Sequence, residues 1–119
     1  MAPPRVQIQH EAFDAGREIA ALREADGGVG AVAAFIGTVR ERSGGTGPAD
    51  TVRMELEHYP GMTERAIEAM IDAALQRFDL RAARVVHRVG ALAPRDQIVL
   101  VVVASAHRGD AFAGCQFLM

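Results

Sequence analysis

The chain has 119 residues, half of them apolar, a formal net charge of −2 and a single cysteine. That length supports one hydrophobic core and is too short for two, so residues 1–119 are expected to form a single domain. The charge provides no basic field for nonspecific nucleic-acid binding, and the lone Cys115 excludes an internal disulfide and any cysteine-built zinc site.

No apolar run reaches the roughly 18 residues of a membrane span, and the start of the chain lacks the apolar core of a signal peptide. A cytoplasmic location is expected. All 13 basic residues are arginine, so Schiff-base and ammonium chemistry are outside the reach of these residues.

In chain order, Arg5–Gln9 reads as a short strand. Phe13, Ile19, Ala20 and Leu22 recur at helical spacing, predicting a helix from Asp14 to about Ala25 that Asp26-Gly27-Gly28 stops. Val29–Val39 is apolar on both faces and reads as a central strand. Arg40–Asp50 is polar and glycine-rich, a loop, and no lysine follows its glycines, which rules out a Walker-type phosphate loop. Residues 51–58 alternate, with Val52, Met54, Leu56 and His58 on one face and Thr51, Arg53, Glu55 and Glu57 on the other.

Tyr59-Pro60-Gly61 turns the chain into a helix over Met62–Phe78, whose inner face is Ala66, Ile67, Met70, Ile71, Ala74 and Phe78. Ala83–Leu92 reads as one strand, and Ile98 begins another that ends near Ser105. A last helix starts at about Arg108, with Phe112, Cys115 and Met119 facing inward. The order β-α-β-β-α-β-β-α is that of an α+β domain with helices packed on a largely antiparallel sheet.

Two strand ends carry the candidate chemistry. His107 and Arg108 stand where a strand meets a helix N-terminus, a place with unpaired N–H groups and partial positive charge, and the guanidinium adds a bidentate donor for phosphate or carboxylate. Arg40 ends the other central strand and is expected to converge on Arg108 if the two central strands run side by side. Gly37 permits close approach of a ligand or partner backbone.

His58 falls in the buried phase and reads as a satisfied core histidine. His87 and Arg88 alternate within a strand and point to opposite faces. The four histidines are scattered, with no pair at metal-ligand spacing. Cys115 lies on an apolar helix face, and Ser105 lacks the context of a nucleophile. Taken alone, these residues describe an anion-binding domain with no catalytic group of its own.

The segments FIGTVR, LEHYPGMTE and VVHRVGALAPRDQIVLVVVASAHRGDAFAGCQFLM, in order between Val29 and Met119, resemble the large, catalytic subunit of molybdopterin synthase. The resemblance implies an α/β-hammerhead fold and a sulfurtransferase reaction without a cofactor or metal. In that family, cyclic pyranopterin monophosphate receives two sulfurs from the thiocarboxylated Gly-Gly tail of a small ubiquitin-like sulfur-carrier subunit. It also implies a homodimer of large subunits within a heterotetramer.

By the same resemblance, Thr38, Val39, Arg40, His107 and Arg108 bind the substrate, Arg40 is catalytic, and Phe35 and Met119 line the pocket. The family's last helix runs on into D-x-L-K and P-x-W-K segments bearing its catalytic lysines. Those segments would follow Met119, so a chain lacking its C-terminal segment is expected. The second reading is a non-catalytic anion- or partner-binding module; a structural oligomer subunit is a third.

Overall fold

A computed structural model describes residues 4–41, 54–56 and 59–119. Nine elements follow in order: β1 (Val6–Gln9), α1 (Ala15–Glu24), β2 (Ala31–Thr38), β3 (Met54–Leu56), α2 (Met62–Arg77), β4 (Ala82–Arg88), β5 (Gly90–Leu92), β6 (Gln97–Ser105) and α3 (Arg108–Leu118). The expected order is present with one addition. Four strands form a sheet in the order β1-β4-β6-β2, and β3 pairs with β5 in a second, two-stranded sheet. Within the larger sheet β4–β6 and β6–β2 are antiparallel and β1–β4 is parallel, so the sheet is mixed but mostly antiparallel.

The addition comes from the expected single strand Ala83–Leu92. It breaks after Arg88, and Gly90 adopts a left-handed φ of 92°. A bend that only glycine enters without strain redirects the chain, so that β4 stays in the large sheet and β5 joins the small one. Hydrophobic pattern alone does not register such a break, because both halves are equally apolar.

Helices cover both faces of the large sheet. On one face α1 packs Leu22 and Ile19 against Val86, Leu100, Val102 and Ala104. On the other, α2 and α3 pack Ile71, Ala111 and Cys115 against Val85, Val101 and Val103. Ile71, Leu100, Val102 and Val103 are fully buried, each contributing roughly 1.5–3 kcal/mol relative to exposure.

Local chemistry sets the helix starts. Asp14 caps α1, its carboxylate accepting the Arg17 N–H at 3.1 Å. Before α2, Pro60 and Gly61 (φ 83°) make a turn closed by Met62 N–H to Tyr59 C=O at 3.0 Å, and Glu64 accepts the Gly61 N–H at 3.0 Å. Proline followed by a left-handed glycine is the pattern of a type II turn.

The phase of α3 differs from expectation. Ala111, Gly114 and Cys115 face the sheet, whereas Phe112 and Met119 are 66% and 61% exposed. The close approach at Gly114 decides this, since a Cβ there would lie 2.9 Å from the methyls of Leu80. In α2, Ala66 is likewise exposed, while Ile71 and Ala74 carry the burial. The predicted loop beyond Glu41 and the faces assigned to residues 51–58, with His58 among them, lie outside the described residues.

Candidate functional site

The C-terminal end of β2 is held in place by the turn between β5 and β6. Val39 donates its N–H to the Asp96 carbonyl at 2.9 Å, and its own carbonyl accepts the Arg95 N–H at 2.8 Å. Arg95 sits in that turn at φ 76°, a backbone region costly for a residue with a Cβ, and its guanidinium pairs with Glu41 at 2.6 Å. The side chain of Val39 is buried, at 4% exposure. Side chain and main chain are therefore both engaged, and Val39 anchors the strand end between Thr38 and Arg40. Both neighbours are exposed.

The other candidate pair stands at the far end of the sheet. β6 ends in Ser105, whose hydroxyl donates to the Asp79 carbonyl at 2.7 Å and accepts the His107 N–H at 3.3 Å. Arg108 then opens α3, His107 is its N-cap without a side-chain cap bond, and both side chains are exposed. Gly30 fits tightly behind this junction: a Cβ there would lie 2.2 Å from the Ala106 carbonyl oxygen. Among the described residues neither the Arg40 nor the Arg108 guanidinium has a hydrogen-bond or ion-pair partner. Arg5, Arg81, Arg84 and Arg95, by contrast, are all paired with carboxylates.

The expected convergence of Arg40 and Arg108 within one chain does not occur. β2 and β6 do lie side by side, but they run antiparallel, with Ala31 opposite Ser105 and Thr38 opposite Gln97. Seven residues of strand at about 3.3 Å each separate the two ends by about 23 Å.

Near the Thr38 end lies an apolar cavity of about 240 Å³. The sheet contributes Phe35, Val99, Val101 and His87, and the helices contribute Met70 and Met119 among others. Phe35 and Met119 thus come together in one lining. Val99 and His87 face each other across β6 and β4, and Gly37 stands opposite Val99 on β2.

Among the described residues lining the cavity, His87 is the one that carries an ionisable side chain. Its Nδ1 lies 2.8 Å from the Arg88 carbonyl, which can only accept, so Nδ1 carries a hydrogen there and Nε2 is the ring nitrogen left outside this contact. Arg88 turns the opposite way and donates to the His10 and Gln97 carbonyls. Sequence reading separated these two residues correctly but did not place His87 at a site; its shared phase with Val85 on the cavity side was the available signal.

The remaining candidates are inert. Burial pushes the Cys115 thiol up and away from the reactive thiolate. Among the described residues no cluster of three metal-ligating side chains exists, and no helix is long and apolar enough to cross a membrane.

Comparison with known proteins gives a consistent result. The family described as MoaE protein matches residues 8–119. The molybdopterin synthase catalytic subunit of Ralstonia nicotianae is 59% identical over 116 residues, which is 98% of this chain and 64% of that relative's length. Molybdopterin cofactor biosynthesis protein E from Burkholderia multivorans superposes with a TM-score of 0.85 at 48% identity, covering 96% of this chain and 72% of that one. A complex of subunits 1 and 2 of molybdopterin-converting factor from Helicobacter pylori shares the fold at a TM-score of 0.75, 17% identity and 95% coverage of this chain, 73% of its own.

Proposed function

Because the chain belongs to the MoaE protein family, we propose that it is the sulfur-accepting, substrate-binding part of a molybdopterin synthase. In this reading it binds cyclic pyranopterin monophosphate in the cytoplasm and receives two sulfurs from the thiocarboxylated tail of a small ubiquitin-like subunit. The kinship with catalytic subunits is the observation that carries the proposal, and it disfavours the non-catalytic binding module.

The chemistry of the site agrees with it. The substrate is a cyclic phosphate monoanion on a pterin, and two guanidiniums without acidic partners among the described residues are suited to neutralise it in a bidentate way. A thiocarboxylate is already a nucleophile, so the large subunit needs no activated side chain, and none was found among the described residues. Its task is to align an extended glycine tail with the pterin and to stabilise the charge that shifts to the leaving oxygen. The cavity between Phe35, His87 and Met119 is apolar and of about 240 Å³, which suits a tail of glycines. Thr38, Arg40, His107 and Arg108 are the proposed substrate contacts, Arg40 being the catalytic one.

Because one chain holds these contacts about 23 Å apart, the proposal includes a homodimer in which each site takes Arg40 from one protomer and Arg108 from the other. With one small subunit per site the assembly is a heterotetramer. The test is reconstitution of the full-length protein with its thiocarboxylated partner. Arg108→Ala is expected to weaken pterin phosphate binding by roughly 1.5–3 kcal/mol, the range for a charge-assisted hydrogen bond, and Arg40→Ala to slow turnover. Wild-type calorimetry for the first variant together with a wild-type rate for the second would remove both residues from the site.

A further inference from the structure

We propose that Arg95 is a positioning residue for Arg40: it holds the Glu41 carboxylate away from the Arg40 guanidinium and so keeps that guanidinium open to an anionic substrate. This role rests on the proposed function of Arg40; the turn that carries it does not.

The chain makes the same tight turn twice. Tyr59-Pro60-Gly61-Met62 is closed by the Met62 N–H donating to the Tyr59 carbonyl at 3.0 Å, with Gly61 at φ 83°. Ala93-Pro94-Arg95-Asp96 is closed by the Asp96 N–H donating to the Ala93 carbonyl at 3.1 Å, with Arg95 at φ 76°. Each has proline second and a left-handed residue third, as in a type II turn, and that third place favours glycine. Among the described residues Arg95 is the only non-glycine residue with a positive φ. A Cβ is strained there, and such strain persists only where the surroundings hold it.

The second turn differs from the first in its contact with the end of β2. The Arg95 N–H donates to the Val39 carbonyl at 2.8 Å, and the Val39 N–H to the Asp96 carbonyl at 2.9 Å. Those bonds belong to the main chain, so glycine at 95 would make them equally well. Only the ion pair needs arginine, and its partner is Glu41 at 2.6 Å. Glu41 follows Arg40 directly, within Coulombic reach of its guanidinium. The other carboxylate of this contact, Asp96, accepts the Ala93 N–H at 2.9 Å. Both acids are thus occupied by the turn, which leaves Arg40 without a carboxylate partner among the described residues. With Arg95 gone, Glu41 is free to compete with a phosphate for Arg40.

The experiment measures kcat/KM for cyclic pyranopterin monophosphate in the full-length protein reconstituted with its thiocarboxylated partner. The variants are Arg95→Gly, Glu41→Gln and the two together, with Arg40→Ala as reference. Glycine suits the turn, so the urea midpoint of Arg95→Gly should not fall. Its kcat/KM should drop by roughly two- to fivefold, the size of one surface ion pair, and the drop should shrink as salt is raised. The loss should lie in KM, because Glu41 competes only while substrate is absent. Glu41→Gln removes the competitor and should work at least as well as wild type. In the double variant kcat/KM should return to the wild-type level.

That recovery separates the outcomes. A direct contact between Arg95 and substrate would leave the double variant as slow as Arg95→Gly. A strand end that needs the ion pair itself would make Glu41→Gln as slow as Arg95→Gly. A lower urea midpoint for Arg95→Gly would mean that the side chain serves the fold, and a wild-type kcat/KM that Glu41 does not reach Arg40. Each of these results overturns the proposal. If Arg40→Ala is then also as fast as wild type, the assignment of Arg40 falls too; if Arg40→Ala is slow, only the role of Arg95 is lost.

Discussion

Asp26 shows how much one side chain fixes at the entrance to β2. Its carboxylate accepts two bonds from Arg81, at 2.7 and 3.0 Å, and the Gly28 N–H at 2.9 Å. The Arg81 hydrogen bonds, then the Gly28 N–H, hold its carboxyl below the ordinary value of 3.8. A carboxyl whose value is lowered in the folded state stabilises above its unfolded value and loses that contribution as pH falls through the folded one. Asp26→Asn should therefore lower the urea midpoint at neutral pH, and the gap to wild type should close as pH drops below 3.8. A gap of constant size into the acid range would show that the charge is irrelevant there. None of this was readable beforehand: Asp26-Gly27-Gly28 announced a helix stop, but its partner lies 55 residues away in sequence. His107 and Arg108, by contrast, were legible because a strand-to-helix junction is a local event.

At the scale of elements, α1 is tied to the sheet by more than its apolar stripe. Arg84 of β4 is 7% exposed and pairs with Glu18 of α1 while also donating to the Pro4 carbonyl. Removing one partner of a buried pair strands the other charge in low dielectric. Glu18→Gln is therefore expected to cost about 3 kcal/mol in urea unfolding, whereas replacing both residues with apolar ones of similar size should come close to neutral. An equal loss in the single and double variants would argue that the pair does not act as a unit.

The sequence pattern placed every helix within about a residue of its observed ends, because capping and periodicity are short-range. Strand pairing was less accessible. That β1 runs parallel to β4, that β4 and β5 divide at Gly90, and that α3 turns Phe112 outward all depend on which elements meet, and periodicity does not encode partners.

For the whole molecule, the antiparallel register of β2 and β6 has the widest reach. The family resemblance named Arg40 and Arg108 for one site; geometry shows that a single chain offers each of them to a different place. In a dimer that shares two such sites, gene dosage becomes a readout. Mixed with wild-type chains, an Arg40→Ala chain disables one site of each mixed dimer, so activity should fall in proportion to the mutant fraction. A chain carrying both Arg40→Ala and Arg108→Ala disables both sites of every mixed dimer, so activity should fall with the square of the wild-type fraction. The wild-type chain of a mixed dimer keeps one working site beside the single variant and none beside the double: two substitutions made harmful to others by being joined in one polypeptide.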